Sequence, residues 1–390
     1  MRHLWLLANG VLLPLRNCFF TAMNLKSIYT KALNNGFLSA DEGLTLYRYA
    51  PLEMLMLIAH ELRKARVPGS KVTWQIDRNV NITNVCIAGC KFCNFHCGLH
   101  HANAYVTSID EYREKIEEMH RLGGQQLLLQ GGLHPKLGLS FYSDLFSTLK
   151  REYPQVKLHA LGPPEIAHIA RLEKCSTLEV LKQLRRSGLE SLPGGGAEIL
   201  VDRVRKELSP GKPSAQQWLD VMAEAHQLGM LTTATMMYGH IETIEDRIEH
   251  LLKIRELQAQ KPEHAIGFSA FICWPFQSKG TKLEQMGVVT SAKADEHIRM
   301  VAFSRIMLPN ISHIQASWLT VGVDVAQLCL HAGADDMGSI MIEENVVSSA
   351  GATNALNALG MQQAITSAGF EPQLRNQAYE PIPLPKVYEK

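Results

Sequence analysis

The chain has 390 residues, 46% of them apolar, and 39 Lys and Arg balance 38 Asp and Glu. It is long enough to bury a large core as one big domain or two, and it lacks the basic block that backbone contacts to nucleic acid require. No apolar run reaches the length that spans a bilayer. The eight cysteines show no paired framework of the kind that small secreted domains use.

Residues 2–20 have a basic start and an apolar stretch, superficially like a signal peptide. Asn9, Gly10, Pro14 and Arg16 interrupt it and no small-residue cleavage site clearly follows. Residues 1–22 are therefore expected to be a disordered or mis-started extension, with Met23 the functional beginning and the cytoplasm the location. Helices over about 24–35 and 40–66 form an N-terminal helical extension, residues 23–70, ending before Pro68-Gly69.

Short β-rich runs then alternate with turns and amphipathic helices. Strands are expected near 73–83, 125–130, 156–161, 189–192, 231–237, 267–273, 313–318 and 336–342. Ser108 with Glu111 reads as a capping box, followed by Tyr112, Ile116 and Met119 at helical spacing and a Gly123-Gly124 stop. Ser214 with Gln217 repeats the pattern before Trp218, Met222 and Ala225, and Thr243 with Asp246 opens another helix. Eight such alternations over roughly 270 residues match a (β/α)8 TIM-type barrel, placed at 71–350, with a C-terminal helix and tail at 351–390. A doubly wound open sheet is the alternative, since alternation does not say whether the sheet closes.

A barrel puts its chemistry after the C-terminal ends of its strands. The segments there are unusual: CIAGCKFC (86–93), QGGLHP (130–135), GPPEI (162–166), PGGGAEIL (193–200), YGHIET (238–243), WPFQ (274–277), SWLTVG (317–322) and EENVVSSAGAT (343–353). Cys86, Cys90 and Cys93 suit a [4Fe–4S] cubane, whose irons take thiolate ligands; three ligands leave the fourth iron open. With Cys97, a four-thiolate zinc site or a closed electron-transfer cluster are the alternatives, although structural zinc usually takes two ligand pairs separated by a longer loop. Cys97, His96, His100 and His101 are expected to form a mobile loop beside the cluster. Cys18, Cys175, Cys273 and Cys329 are scattered and read as small apolar side chains.

Gly131-Gly132 allow close approach of a ligand or make an ordinary tight turn. Gly194, Gly195 and Gly196 with Glu198 open a helix with bare N–H groups that suit an anion. His134, His159 and His240 fall beside strand ends, where acid–base work or a structural hydrogen bond are both open. Glu165, Glu242, Glu343 and Glu344 are candidate bases, with at most one of the last two in the site. Trp274 and Trp318 either wall a cavity for an aromatic substrate or pack the core.

The cysteine spacing with Phe92 resembles the signature of radical S-adenosylmethionine (SAM) enzymes. That resemblance implies that the open iron chelates SAM and that the segment of Gln130, Gly131 and Gly132 contacts it. Phe92, Gly195, Gly196 and Glu198 are the other cofactor-binding candidates, Glu198 meeting the SAM ribose hydroxyls or a cation, or simply favouring a helix N-terminus. LLLQGGLHP (127–135), KLHALGPPEI (157–166), LPGGGAEIL (192–200) and MIEENVVSSAGAT (341–353) are similar to the cyclic dehypoxanthinyl futalosine synthases of menaquinone biosynthesis, from about Met23 to residue 380. The first 22 residues and HCGLHH (96–101) depart from that pattern. Aminofutalosine synthase and the FO synthase subunits share the fold and the glycine loops. Gln130-Gly131-Gly132, His159-Ala160-Leu161 and Ile342-Glu343-Glu344-Asn345 favour the cyclase.

The resemblance implies that a 5′-deoxyadenosyl radical takes the C4′ hydrogen of dehypoxanthine futalosine, and that the ribose radical closes onto the benzoate. His134, His159, His240, Glu165 and Glu343 are then the catalytic candidates, with Trp274 and Trp318 facing substrate. An electron donor such as flavodoxin or ferredoxin is implied, with no nucleic acid and no membrane. A non-catalytic iron–sulfur carrier is the competing class.

Overall fold

The computed structural model describes residues 5–8, 11–385 and 388, with side chains from Asn24 onward. The extension expected at 1–22 lies outside the residues whose side chains are described. Three helices lead into the core, α1 (Leu15–Leu33), α2 (Ala40–Tyr49) and α3 (Leu52–Arg66). The single helix expected over 40–66 is thus two. Pro51 has no N–H to donate, and Ala50 before it is extended at φ −72°, ψ 130°, as a residue preceding proline prefers. Ser39 and Glu42 form a capping box that starts α2. Leu55, Ile58, Ala59 and Leu62 bury one face of α3, which lies against the helix Ala294–Met307. Among the described residues no helix is long and apolar enough to cross a membrane.

Ten strands form one parallel sheet. They are β1 (Lys71–Gln75), β2 (Asp77–Asn81), β3 (Gln126–Gln130), β4 (Lys157–Ala160), β5 (Ser191–Leu192), β6 (Leu231–Tyr238), β7 (Phe268–Pro275), β8 (His313–Gln315), β9 (Asp336–Ser339) and β10 (Glu371–Leu374). β1 and β2 are the two halves of the strand expected at 73–83, broken at Ile76. β2 pairs with β3, from Asp77↔Gln126 to Asn81↔Gln130. β1 pairs with β9 through Thr73↔Asp336 and Gln75↔Ser339. One run of chain therefore bonds to both the second and the last stave, which curls the sheet into a barrel and disfavours the open alternative.

Each strand of a barrel between helices has an outward apolar face. Leu127 and Leu129 of β3 pack outward with Tyr112, Ile116 and Met119 of the helix Ile109–Arg121. A stronger departure from expectation is the C-terminal tail, which is part of the barrel. β10 pairs with the side of β1 away from β9, from Glu371↔Lys71 to Leu374↔Trp74. The chain then turns inward and closes the barrel floor. Arg375 donates from Nε and Nη2 to Asp336 at 2.5 and 3.0 Å, and from Nη1 to Gln75 at 2.8 Å. Its guanidinium lies 3.9 Å over the Tyr379 ring, which stacks on His313 at 3.7 Å.

Removing one member of a buried pair strands the other charge. Arg375→Met is expected to lower unfolding stability by on the order of 3 kcal/mol in urea titrations, with partial recovery in Arg375→Met/Asp336→Leu.

Candidate functional site

The barrel encloses a cavity of about 440 Å³. Strand alternation builds its walls: Gln75, Asp77, Asn79 and Asn81 from the first run, Gln126, Leu128 and Gln130 from β3, Thr233, Thr235 and Met237 from β6, and Ala270, Ile272 and Trp274 from β7. Arg375, Gln377 and Tyr379 also line it. Sequence reasoning named Gln130 but missed Gln75, Asp77, Asn79 and Asn81. Their signal was present as Gln-x-Asp-x-Asn-x-Asn (75–81), a period-two polar face on an otherwise buried strand.

Cys86, Cys90 and Cys93 all line this cavity, with Phe92 and His96. Backbone bonds fix their loop from several sides. Cys86 N–H donates to Cys97 O at 3.1 Å, Lys91 N–H to Leu208 O at 2.9 Å, and Gly211 N–H to Ala88 O at 3.0 Å. Asn94 Nδ2 donates to Lys279 O and Ser349 O at 2.9 and 3.1 Å. The expected mobile loop around Cys97 is thus pinned: Cys97 N–H donates to Asn84 O at 2.9 Å, and Cys97 is not among the lining residues.

Cys86 Sγ accepts N–H groups from Ala88 at 3.4 Å and Leu133 at 3.2 Å. Such bonds tune a cluster's potential. Burial pushes the Cys90 thiol up to about 12 against the opposing pull of Lys212. Cys93 is also raised by burial, but hydrogen bonds from His96 and the backbone outweigh this and hold it below the usual thiol range. Three thiols on one cavity wall, with N–H donors to sulfur, fit a cubane held by three ligands. Among the described residues no three His, Cys, Asp or Glu side chains converge on a single ion.

Gly131 and Gly132 line the cavity, yet packing alone explains Gly132. A Cβ there would overlap Val85 O and approach Cys86 Cβ to 2.8 Å, so β3 ends hard against the cysteine loop. A Cβ on Gly195 would strike the Gln130 amide, and one on Gly196, at φ +75°, would strike Pro164. Glu198 is a non-glycine residue at φ +39°. Its Oε1 accepts from Lys212 Nζ at 2.8 Å; its Oε2 lies 3.9 Å from Arg205 and is buried without a hydrogen-bond partner. Lys212 Nζ also sits 5.2 Å over the Phe92 ring. Burial disfavours the Lys212 ammonium, but Cys90 and Glu198 outweigh it and raise its pKa. This lysine, in an unremarked SPGKPS turn (209–214), is the second omission of the sequence reading.

Other candidates separate. Trp274, Trp318, Glu165 and His159 line the cavity. His159 Nδ1 bonds Ser191 Oγ at 2.7 Å, and burial pushes its pKa down to about 3; it is a neutral imidazole and unsuited to carrying a proton at neutral pH. Burial raises Glu165 to about 7 despite backbone N–H bonds to the carboxylate. His134, His240 and Glu343 are not among the lining residues, contrary to expectation. His134 Nδ1 accepts from Lys136 N–H at 3.1 Å. His240 is held by Met237 O at 3.0 Å and Glu242 at 2.9 Å. Glu343 is occupied by Arg78, Lys115 and Asn345. Glu344 does line the cavity, but its carboxylate accepts the N–H groups of Val346, Val347 and Ser348 at 2.7 to 2.8 Å.

Family models match the chain in two blocks: the radical SAM superfamily over residues 80–254 and the CofH/MqnC C-terminal region over 265–388. The cyclic dehypoxanthine futalosine synthase of Streptomyces coelicolor is 42% identical over 337 residues, 86% of this chain and 83% of that one. The chain belongs to the cyclic dehypoxanthine futalosine synthase family of radical SAM enzymes. As a radical SAM enzyme it uses a [4Fe–4S] cluster and SAM. The 5-amino-6-(D-ribitylamino)uracil–L-tyrosine 4-hydroxyphenyl transferase of Methanococcoides burtonii is 39% identical, over 82% of this radical SAM chain and 88% of its own. Methylornithine synthase shares the fold at TM-score 0.69 and 19% identity, covering 90% of this chain and 98% of its own. The hydrogenase maturase HydG of Carboxydothermus hydrogenoformans does so at 0.70 and 14%, covering 93% and 82%.

Two outcomes test the site. Gly132→Ala is expected to leave the barrel folded by circular dichroism while lowering iron and sulfide content after anaerobic reconstitution. The folded-state pKa of Glu165, about 7, lies above its ordinary 4.5. Its contribution to stability is therefore full below 4.5 and lost as pH rises through 7. Glu165→Gln is expected to lose less Tm than the unaltered protein between pH 5 and 8, measured by calorimetry.

Proposed function

We propose that this protein converts dehypoxanthine futalosine to cyclic dehypoxanthine futalosine. The single observation that carries the reading is the 42% identity to the Streptomyces coelicolor enzyme over 86% of this chain. Cys86, Cys90 and Cys93 would hold the cluster, with Gln130, Gly195 and Glu198 of the neighbouring wall on the SAM side. When bound, the pair supplies a 5′-deoxyadenosyl radical for hydrogen abstraction at ribose C4′.

The protein's part is confinement. Trp274, Trp318 and Phe276 give the upper cavity an apolar, aromatic wall suited to the benzoate ring, and Arg375 and Tyr379 close the floor. A carbon radical in such a cup meets the substrate's own ring before it meets solvent. The cyclised ring radical must then give up one electron to a one-electron acceptor and one proton, and Glu165, with a pKa near 7, is the candidate for accepting that proton as the ring regains aromaticity. We further propose the cytoplasm as location and flavodoxin or ferredoxin as electron donor.

A second reading, 4-hydroxyphenyl transfer from tyrosine to 5-amino-6-(D-ribitylamino)uracil, is favoured by the 39% identity to the Methanococcoides burtonii enzyme. The test is anaerobic incubation of reconstituted enzyme, reductant and SAM with each substrate set, followed by mass spectrometry. Cyclic dehypoxanthine futalosine with 5′-deoxyadenosine supports the proposal; hydroxyphenyl transfer overturns it. Cys86→Ala, Cys90→Ala and Cys93→Ala are each expected to abolish turnover. Cys97→Ala is expected to keep a cluster whose EPR spectrum responds to SAM.

A further inference from the structure

The inner face of β2 carries Asp77, Asn79 and Asn81 at successive inward positions. Their hydrogen bonding differs. Asn81 Oδ1 accepts from Asn345 Nδ2 at 3.1 Å. Asn79 Oδ1 is buried with no partner among the described residues, although the residue is only 4% exposed and lines the cavity. Buried amide oxygens are normally satisfied, and one left open is costly. Asp77, also lining the cavity, accepts the Ser339 hydroxyl, which leaves lone pairs unused on a carboxylate with about four acceptor sites.

Gln126 and Arg375 are engaged, whereas the Asn79 and Asn81 Nδ2 groups donate to nothing among the described residues. Gln126 Nε2 donates to Gln377 Oε1 at 3.0 Å, and Arg375 donates to Asp336 and Gln75. This wall therefore offers the Asp77 carboxylate as an acceptor and the Asn79 and Asn81 amides as donors, a mixed set that a hydroxyl, which both gives and takes a hydrogen bond, can match. A benzoate carboxylate has no hydrogen to give and is repelled by Asp77, so the wall does not receive that end. Alternate positions on a strand are about 6–7 Å apart, a span that hydroxyls on a pentose ring or pentitol chain can bridge.

We propose that Asp77 and Asn79 form a subsite for pentose hydroxyls of the substrate. It rests on the reading above that a pentose-bearing substrate enters the cavity, and it turns that substrate so that its aromatic end faces the tryptophan wall. The hydroxyls could belong to the ribose of dehypoxanthine futalosine or to a ribityl chain.

The test uses reconstituted full-length enzyme with SAM and measures equilibrium binding of dehypoxanthine futalosine and its 2′- and 3′-deoxy counterparts. Unaltered enzyme is expected to bind at least one deoxy ligand about 10-fold or more weakly, the usual cost of leaving a buried polar group unpaired. Asn79→Leu is expected to lose about the same factor for the full ligand and no longer to discriminate against the deoxy ligand. Its ligand-free thermal unfolding is expected to be unchanged or higher, because no hydrogen bond of the free protein is removed. Asp77→Asn is the second variant, expected to weaken the same discrimination. Variants that keep full affinity, or that still discriminate as the unaltered enzyme does, overturn the subsite. Product formation by the unaltered enzyme is read separately. If it transfers hydroxyphenyl from tyrosine instead, the cyclase reading fails, and the subsite is judged by the same variants with 5-amino-6-(D-ribitylamino)uracil and its deoxyribityl analogues.

Discussion

The bidentate pair between Arg375 and Asp336 is the interaction on which the cavity depends. It joins the C-terminal segment to the last barrel stave, and the same guanidinium reaches Gln75 in the first. A parallel barrel with polar residues on its inner face cannot fill its own centre with apolar side chains. Something must close the lower end against water and satisfy the polar groups there. Arg375 does both, with Tyr379 beneath its guanidinium and His313 stacked on that ring. A buried charge pair of this kind contributes little net stability compared with apolar packing. What it provides here is a fixed floor.

At the mouth the constraint is backbone proximity. The ends of β3 and the cysteine loop approach so closely that Gly132 has no room for a Cβ. Lys212 and Glu198 then set the charge beside the thiols, with Lys212 opposing the effect of burial on Cys90 and Cys86. Mouth and floor thus have opposite characters. The first is built from glycine, sulfur and a buried ion pair, the second from amides, a carboxylate and a neutralised arginine.

Much of this was legible in the sequence, because local rules and global fold agree there. The capping boxes at Ser108, Ser214 and Thr243 are all formed, and the strand expected at 231–237 spans Leu231–Tyr238. The thiol triplet pointed to one cavity wall. Two things were not legible, and a third was legible but missed. The strand at Glu371 is short, polar and contains Pro372, which argues against a strand unless its partner lies on one side only, as β1 does. His134 and His240 sit after strand ends as expected, but position along the chain does not fix which way a side chain points. The polar period of Gln75 to Asn81 was read as strand without asking which face it supplied.

The two family blocks meet between residues 254 and 265, and that seam runs through the barrel. β6 and β7 lie on either side of it and pair from Thr232↔Phe268 to Tyr238↔Pro275. The seam is thus not a boundary of folding: Trp274, Trp318 and Arg375 of the second block close the same cavity that Cys86, Cys90 and Cys93 of the first line.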